Sequence, residues 1–404
     1  MRLAAGILVA VSACYGATPP AGAPCDLALD NCPAGQRCEM SPSGGAFCGG
    51  SALSADANDG PSGDTCFGVG LVHDVCLMPA PTLDVMIAGD RTINTATVGS
   101  GNCDSIIAQA GGPSLCVLAG KTIDVANAAR LFGIGPNPLV LVATDTITVN
   151  GTIDVASRLT TLTPGAGADT TCASDPGVNG GNGAGGGGAG GSFGGRGADG
   201  GNGNSGGAGS SAAPSQTPTV LRGGCGGGRG GNGSGGGGSG AGGAGGGALY
   251  LIAATKITIT STGIINASGS GGDAGIDGIN ASGGAGGGGS GGMIGLDAAS
   301  IDMTGMLFAN GGSGGGGGGS TPSNHGQPGA TPTTALTAAS GGTGGQGGGG
   351  KGGDGSVLLT SPTIGANGTN AYCAGGGGGG GAGVIRVYGA SASTLGGMVS
   401  PPAT

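Results

Sequence analysis

The stretch GGGGAGGSFGGRGADGGNGNSGGAG, residues 185–209, carries glycine at every third position without exception. A period of three is that of the polyproline II helix, in which such glycines leave a bare stripe that a second backbone can approach closely. The same spacing holds at seven of eight positions from Gly224 to Gly245 and at five of five from Gly341 to Gly353. Because polyproline II satisfies no peptide group internally, we predict that these segments pack side by side and hydrogen-bond to one another.

The composition of the chain limits how such segments can be held. Glycine supplies 110 of the 404 residues, tryptophan is absent and aromatic residues make up 2%, so side chains can build a close-packed core in only part of the chain. Ordering this much glycine costs conformational entropy, which backbone hydrogen bonds have to offset. The alternative is a flexible coil, but apolar segments return between the glycine tracts and favour order.

The composition also argues against helices. The chain contains one glutamate, Glu39, and three lysines, and its other acidic residues are aspartates, which prefer turns and helix caps. Strong helix-forming residues are therefore scarce. The sequence predicts a mainly β protein with almost no helix beyond the signal.

Three apolar phrases recur between the glycine tracts, at residues 145–156 (DTITVNGTIDVA), 256–267 (KITITSTGIINA) and 300–310 (SIDMTGMLFAN). Each alternates apolar and polar residues, passes a glycine and becomes apolar again, which predicts two short strands around a turn. One such unit cannot bury its apolar face alone, so we predict a short-strand stack resembling a β-solenoid, with glycine-rich polyproline II segments beside it. The alternative is a hairpin meander, in which Asn150-Gly151 would be a tight turn. Further apolar strands are predicted at residues 139–142, 248–252, 293–296, 357–359 and 384–388.

The N-terminus has the features of an export signal. Residues 1–13 contain Arg2, an apolar run and then small residues, which is typical of a signal peptide. The Val-Ser-Ala that precedes Cys14 resembles a bacterial lipobox, so we expect lipidation of Cys14 and a proline-containing tether over residues 14–24. The alternative is a plain signal peptide cut nearby. With a lipid anchor, the membrane is a partner and the protein is exported to the outer membrane or cell surface.

Twelve cysteines in an exported chain predict disulfides. Residues 25–80 form a segment too small and too polar to bury a core, so three bridges of open connectivity are expected to hold a small disulfide-rich module there. Its candidate cysteines are Cys25, Cys32, Cys38, Cys48, Cys66 and Cys76.

The remaining cysteines belong to the rest of the chain. Cys103 and Cys116 are spaced to close one loop within a strand-rich segment over residues 81–164. A glycine-rich repeat domain with interspersed strands is expected over residues 165–404, and one of its three cysteines is left odd. Those three are Cys172, Cys225 and Cys373.

Three features together resemble a loose group of glycine-rich exported lipoproteins of Gram-negative bacteria. They are the cysteine-rich entry from Cys25 to Cys76, the segment NPLVLVATDTITVNGTIDVA from Asn137, and GAGVIRVYG from Gly381. The resemblance is compositional, spans most of the chain and implies surface display with no known activity. The glycine spacing separately resembles glycine-rich bundles of snow-flea antifreeze type and the tips of some phage adhesins, a likeness of one local conformation.

Two segments match the start of the calcium-binding nonapeptide GGxGxD, ending at Asp199 and Asp354. Neither has an apolar residue at the eighth position and neither is tandem, whereas calcium in such arrays is shared between successive turns. They are weak calcium candidates, and we expect no metal and no other cofactor. The sequence has no C-x-x-C pair that would indicate zinc and no strand and helix context for a phosphate loop.

The net charge of −9 and the isoelectric point near 4.4 argue against nucleic acid as a partner. Aspartates beside predicted strands, among them Asp154, are better explained by solvated faces than by acid and base catalysis. We therefore expect no catalytic residues and a non-enzymatic exported surface protein with a structural or adhesive role, whose partner is a surface glycan or protein.

Two other functions stay open. The first is an ice- or glycan-binding module that uses threonine-rich strand faces, because alternate residues of a strand project from one side. The second is a solenoid polysaccharide hydrolase or lyase, which would need aspartates and a basic residue to converge in a groove. The threonines concerned are Thr144, Thr146 and Thr148, and Thr258, Thr260 and Thr262.

Overall fold

The computed structural model describes residues 37–40, 46–49, 65–159, 163–234, 236–320, 325–389 and 392–404. The chain divides into two compact units, Met1–Asp56 and Ala57–Thr404. The described residues contain 20 strands and no helix, so the prediction of a mainly β protein is confirmed for this part of the chain. The same residues accordingly offer no helix that could cross a bilayer.

The described part of the first unit is one pair of strands. Strands β1 (Arg37–Met40) and β2 (Ala46–Gly49) pair antiparallel, with Cys38 opposite Cys48 in the register. The predicted signal, tether and lipidation site at Cys14 lie outside the described residues, as do Cys25 and Cys32.

The described part of the second unit begins with a hairpin. Strands β3 (Thr65–Val69) and β4 (His73–Leu77) pair antiparallel, and a disulfide joins Cys66 to Cys76 across them. The hairpin packs its apolar side chains against the first of three ladders, which are sets of parallel paired strands. Those side chains are Phe67, Val72 and Val75.

The first ladder contains the most apolar strands of the chain, which pair parallel in chain order. β7 (Ser105–Ile107) adds antiparallel to its first strand. The members of the ladder are β8 (Leu115–Gly120), β11 (Leu139–Ala143), the first half of β14 (Ala248–Ile259), the first half of β16 (Met293–Met303) and β18 (Val384–Tyr388).

The second and third ladders are also parallel and follow the same chain order. The second consists of β5 (Val85–Ile87), β9 (Ile123–Val125), β12 (Thr146–Val149), the second halves of β14 and β16, and β19 (Ala392–Leu395). The third consists of β6 (Arg91–Asn94), β10 (Arg130–Ile134), β13 (Thr152–Asp154), β15 (Ile264–Asn266), β17 (Met306–Phe308) and β20 (Met398–Ser400).

The parallel pairing decides how the recurring phrases fold. Strands β12 and β13 lie on either side of Asn150-Gly151, yet they pair with different neighbours in different ladders. That turn therefore does not close a hairpin, and the chain passes the ladders in the same order each time, as a curled sheet. One predicted strand is wrong: residues 357–359 form a turn, because Leu358 has φ +52° and Val357 and Thr360 hydrogen-bond to each other.

The burial pattern along the strands shows which of their faces are covered. Strand β12 alternates half-buried and buried residues, so its two faces differ. The buried Ile147 and Val149 belong to the cluster of buried side chains that all three ladders share, which we call the main apolar cluster, and the other face points outward. All five residues of β11 are buried, because its second face is covered too, which is typical of parallel strands with both faces packed. The side chains that cover this second face form a second apolar cluster, which includes Phe193 and Leu221. These two residues come from the glycine-rich body, which we define as the described residues of 165–247, 268–292 and 310–383.

The glycine-rich body is held by backbone hydrogen bonds between distant segments. Residues 185, 188 and 191 donate N–H bonds of 2.8–2.9 Å to the carbonyls of 282, 285 and 288. The carbonyls of the same three residues accept bonds of 2.9–3.1 Å from residues 375, 378 and 381. Gly187 and Gly190 donate to a third segment, at Gly201 and Ala198. The predicted hydrogen bonding between glycine tracts is therefore present, and it recurs every three residues.

The backbones of these segments approach one another so closely that there is no room for a side chain where a glycine faces a neighbouring segment. A Cβ built on Gly188 would lie 2.0 Å from the carbonyl oxygen of Gly228, and one on Gly190 would lie 1.9 Å from that of Gly379. Real Cβ atoms do not come this near to a backbone oxygen. Glycine is thus a steric requirement at both positions, at Gly188 within the three-residue series and at Gly190 outside it.

Candidate functional site

A cavity of about 690 Å³ lies between the outward face of the third ladder and residues 328–333 of the glycine-rich body. We call this cavity the groove. Its volume is within the range of small-molecule binding sites. Five charged or amide side chains line it: Arg130, Asp154, Arg158, Asn266 and Asp273.

The floor of the groove follows from the register of the third ladder. Phe132, Asp154, Asn266 and Phe308 are successive partners across four neighbouring strands. They form one outward column, because the residues that precede them in each strand are buried in the main apolar cluster. Those preceding residues are Leu131, Ile153, Ile265 and Leu307.

Asp154 is the most buried charged group of the groove, at 7% exposure. Its carboxylate accepts a 2.9 Å hydrogen bond from the Ala156 N–H and forms an ion pair with Arg158. Burial raises the pKa of the Asp154 carboxyl, and the nearby Arg158 guanidinium opposes the rise. That guanidinium also lies over the Phe132 ring, 5.5 Å from its centroid, within the range of a cation–π contact.

Asp273 reaches the groove from the glycine-rich body. Its half-buried carboxylate has no hydrogen-bond partner among the described residues, and burial raises its pKa. Asn266, by contrast, accepts a 3.0 Å bond from Ser268 N–H through Oδ1, and no acceptor among the described residues takes its amide N–H groups. The groove thus presents a carboxylate, an amide and two guanidinium groups around one space.

Sequence reasoning found only part of this site. The sequence identifies Asp154 as an aspartate beside a strand but attributes it to a solvated face, and it gives no role to Arg130, Arg158, Asn266 or Asp273. A usable signal was present, since aligning the recurring phrases on their glycines places Asp154, Asn266 and Phe308 at one position. Asp273 carries no such signal, because its place depends on the path of a glycine tract.

A second cavity of about 780 Å³ is lined in part by residues 167–171, which directly precede Cys172 of the Cys172–Cys225 disulfide. Arg222 lines it and pairs with Asp169 at 2.6 Å, while its guanidinium lies 5.8 Å from the centroid of the Phe193 ring. The Nε atom of Arg222 is buried and has no hydrogen-bond partner among the described residues. Most of the other lining residues are glycine, proline, alanine and threonine, so this cavity has fewer polar side chains than the groove.

A third polar cluster joins the β3–β4 hairpin to the first ladder. The Asp297 carboxylate, 4% exposed, accepts hydrogen bonds from the N–H groups of Val69 at 2.8 Å and Gly70 at 3.0 Å. The Tyr250 hydroxyl donates to the same oxygen at 3.4 Å. Burial raises the pKa of Asp297, and it raises that of Tyr250 as well, with the neighbouring Asp297 charge adding to the rise. These groups satisfy one another, so the cluster has the features of a structural contact.

The two weak calcium candidates have the same local role. Asp199 Oδ1 accepts from the Ala212 N–H at 2.8 Å and pairs with Arg196 at 2.8 Å. Asp354 Oδ1 accepts from the Gly341 N–H at 2.8 Å and lies 3.4 Å from the Lys351 ammonium. Each carboxylate therefore ties two glycine segments together and is neutralised by a cation three residues earlier. Among the described residues no group of three or more His, Cys, Asp or Glu side chains is placed to hold a metal ion.

Two of the described disulfides join cysteines that the sequence predicts to form bridges. Cys66 is bonded to Cys76 and Cys103 to Cys116. Cys172 and Cys225, whose pairing the sequence left open, form a third bridge. Cys373 is the odd cysteine, buried as a free thiol whose sulfur lies 3.1 Å from the Gly347 carbonyl.

The predicted threonine faces are interrupted by charged residues. Thr148 has Thr258 beside it in the second ladder but Asp124 on its other side, and Asp302 follows Thr258. Asp302 forms an ion pair with Lys256. This geometry does not produce a contiguous threonine surface. The other predicted threonines are Thr146 in β12 and Thr144, Thr260 and Thr262 in connections next to strands.

No protein-family model, curated protein or solved structure matches this chain.

Proposed function

We propose that this chain is an exported, non-enzymatic surface protein with a structural or adhesive role. In this proposal the three parallel ladders are the faces of a β-solenoid, and the glycine tracts form a bundle of polyproline II segments beside it. The observation that carries the proposal is the hydrogen bonding between residues 185–191, 282–288 and 375–381, with a period of three residues. Each segment is fixed on several sides by peptide groups, so the bundle would be a rigid body.

The groups at the surface suit a display role. Charged residues make up 8% of the chain, so the protein offers few sites to polyanions such as nucleic acid. Three disulfides in the second unit fit an oxidising compartment outside the cytosol. Lipidation at Cys14 would attach the protein to the outer membrane and leave the rigid body facing outward.

Hydrogen exchange of the purified protein tests the rigid bundle. We expect amides of residues 185–191 and 375–381 to exchange far more slowly than a coil, because each third amide is bonded to another buried segment. Amides of the β11 strand give the internal reference for a protected region. Exchange of the glycine tracts at coil rates would defeat the proposal, since a flexible spacer would then replace the bundle.

Surface anchoring is tested separately with a Cys14→Ser variant. We expect the parent to partition into the detergent phase and to be cleaved by protease added to intact cells, because the lipid holds it at the surface. The variant should remain in the aqueous phase. Equal partitioning of the two proteins would exclude lipidation of Cys14, and protection of the parent on intact cells would exclude surface display.

A further inference from the structure

The groove collects side chains that have no structural need to be together. Asp273 comes from the glycine-rich body and Asn266 from the third ladder, and the carboxylate of Asp273 has no hydrogen-bond partner among the described residues. A half-buried carboxylate without a partner costs folding free energy. Its cost is offset if the group hydrogen-bonds to something that enters the groove.

The charges of the groove indicate the chemistry of that ligand. Arg130 and Arg158 supply two positive charges, and Asp154 and Asp273 supply two negative ones. Asp154 neutralises Arg158 directly, and Arg130 and Asp273 carry opposite charges, so the lining has no net charge that would favour an anion or a cation. The lining instead offers donors and acceptors together, since guanidinium groups donate, carboxylates accept and an amide does both. A neutral ligand rich in hydroxyl groups matches this set.

The shape of the groove indicates an extended ligand. Its floor crosses four strands of the third ladder. Neighbouring strands are ~4.8 Å apart, which is close to the length of one pyranose ring. The half-buried Phe132 ring and the aliphatic Ile264 and Pro328 lie along it. These surfaces would cover the apolar faces of sugar rings, which is favourable in water. The cavity of about 690 Å³ has room for several rings.

We propose that the groove binds a neutral oligosaccharide, with Asp273, Asn266 and Arg130 as its hydrogen-bonding groups. Asp154 holds Arg158 in place and acts as a positioning residue. The site is separate from the threonine faces, which contribute nothing to it. This inference deepens the adhesive role proposed above. It rests on that role, because the role is the reason for a displayed protein to carry a glycan site.

The test is titration calorimetry of the full purified chain with four neutral probes: cellohexaose, maltohexaose, xylohexaose and mannohexaose. We expect at least one to bind and Asp273→Asn to weaken it about tenfold, because a charge-assisted hydrogen bond is lost. Arg130→Gln should weaken the same probe by a similar factor. The matched control is Asp124→Asn, which changes a carboxylate of similar burial on the second ladder and should leave the affinity unchanged.

Several outcomes would overturn the proposal. They are the absence of binding by all four probes, binding that Asp273→Asn and Arg130→Gln leave unchanged, or tighter binding of a hexagalacturonate than of every neutral probe. Circular dichroism melting of each variant confirms that it is folded, and the exposed Arg130 provides a second variant should Asp273→Asn fail that check. Release of reducing ends from a bound probe would contradict the non-enzymatic role while supporting the groove, so the two proposals fail separately.

Discussion

Strand β11 and residues 185–191 are both completely buried, yet they are buried in opposite ways. The strand contributes Leu139, Leu141 and other apolar side chains to two clusters, and its stability comes from the burial of apolar area, about 1.5–3 kcal/mol for each large side chain. The glycine segment contributes six glycines and one alanine, so its stability comes from peptide hydrogen bonds of about 0.5–1.5 kcal/mol each. The first region needs its side chains, and the second needs their absence.

The largest effect expected from this comparison is that of Gly188→Ala. The new methyl group would lie 2.0 Å from the Gly228 carbonyl oxygen, and the segments on every side prevent the backbone from moving away. We expect a loss of more than about 4 kcal/mol in the free energy of unfolding, or no soluble protein. Urea unfolding followed by circular dichroism measures it.

The matched control is Gly226→Ala in the same body. Its nearest neighbour would be the Gly243 carbonyl oxygen at 3.4 Å, which is ordinary contact. Alanine also lowers the entropy of the unfolded chain, so we expect a change within about 1 kcal/mol. If both variants lost the same free energy, the close packing of the bundle would not describe the protein in solution.

The next effect is the loss of the disulfide that crosses the start of the glycine-rich body. Cys172 and Cys225 are 53 residues apart, and closing a loop of this length is worth about 4 kcal/mol by chain entropy. Replacing both by alanine should lower the free energy of unfolding by about that amount. Replacing Cys103 and Cys116, 13 residues apart, should cost about 3 kcal/mol. A loss below about 1 kcal/mol for the first pair would show that the glycine segments stay together in the unfolded state.

In the ladders, stability is expected to be lost when a side chain is made smaller, whereas in the glycine-rich body it is lost when a side chain is added. Leu141 is 0% exposed within the main apolar cluster, so Leu141→Ala leaves a cavity and should cost about 2–5 kcal/mol. Leu141→Met keeps the volume and should cost less than about 1.5 kcal/mol. No comparable conservative exchange exists for Gly188. Similar losses for the two leucine variants would mean that the face of β11 that carries Leu141 is not closely packed.

The same contrast explains what the sequence could predict. The alternation in residues 145–156 predicts strands, and β12 shows the expected pattern of burial. The three-residue spacing of glycine predicts hydrogen-bonded segments, and these are present. Both predictions succeed because each pattern reflects local geometry. The failed strand at residues 357–359 had the apolar composition of a strand but only three residues between a serine and a threonine, too short to exclude a turn.

The partners of each glycine segment could not be predicted. Residues 187–190 bond to 198–201, which are near in sequence, while residues 185–191 also bond to 375–381, which are almost 200 residues away. Glycine segments have no side chains to distinguish one from another, so the sequence carries little information on pairing. The position of Asp273 in the groove and the Cys172–Cys225 bridge both depend on that pairing, which is why they emerge only from the structure.

The smallest effect concerns Asp297, where the glycine-poor hairpin meets the first ladder. Burial raises the pKa of this carboxyl above its usual value of 3.8, so the folded state keeps the proton to a higher pH than the unfolded state does. Stability from this group is therefore fully present below about pH 4 and declines as the pH rises toward the raised pKa. Asparagine cannot titrate, and its Oδ1 can still accept from the Val69 and Gly70 N–H groups.

We thus expect Asp297→Asn to remove this group's share of the decline in stability as the pH rises from 4 to 7, and so to flatten the dependence of the free energy of unfolding on pH. Urea midpoints of both proteins at unit steps of pH measure it. Asp154 and Asp273 also have raised pKa values, but they are present in both proteins and cancel in the difference. Equal slopes would mean that the Asp297 carboxylate is solvated, and so that the hairpin does not dock on the ladder in solution. At the junction of the hairpin and the first ladder, a charge, rather than a side-chain volume or a bare backbone, is therefore expected to control the contact.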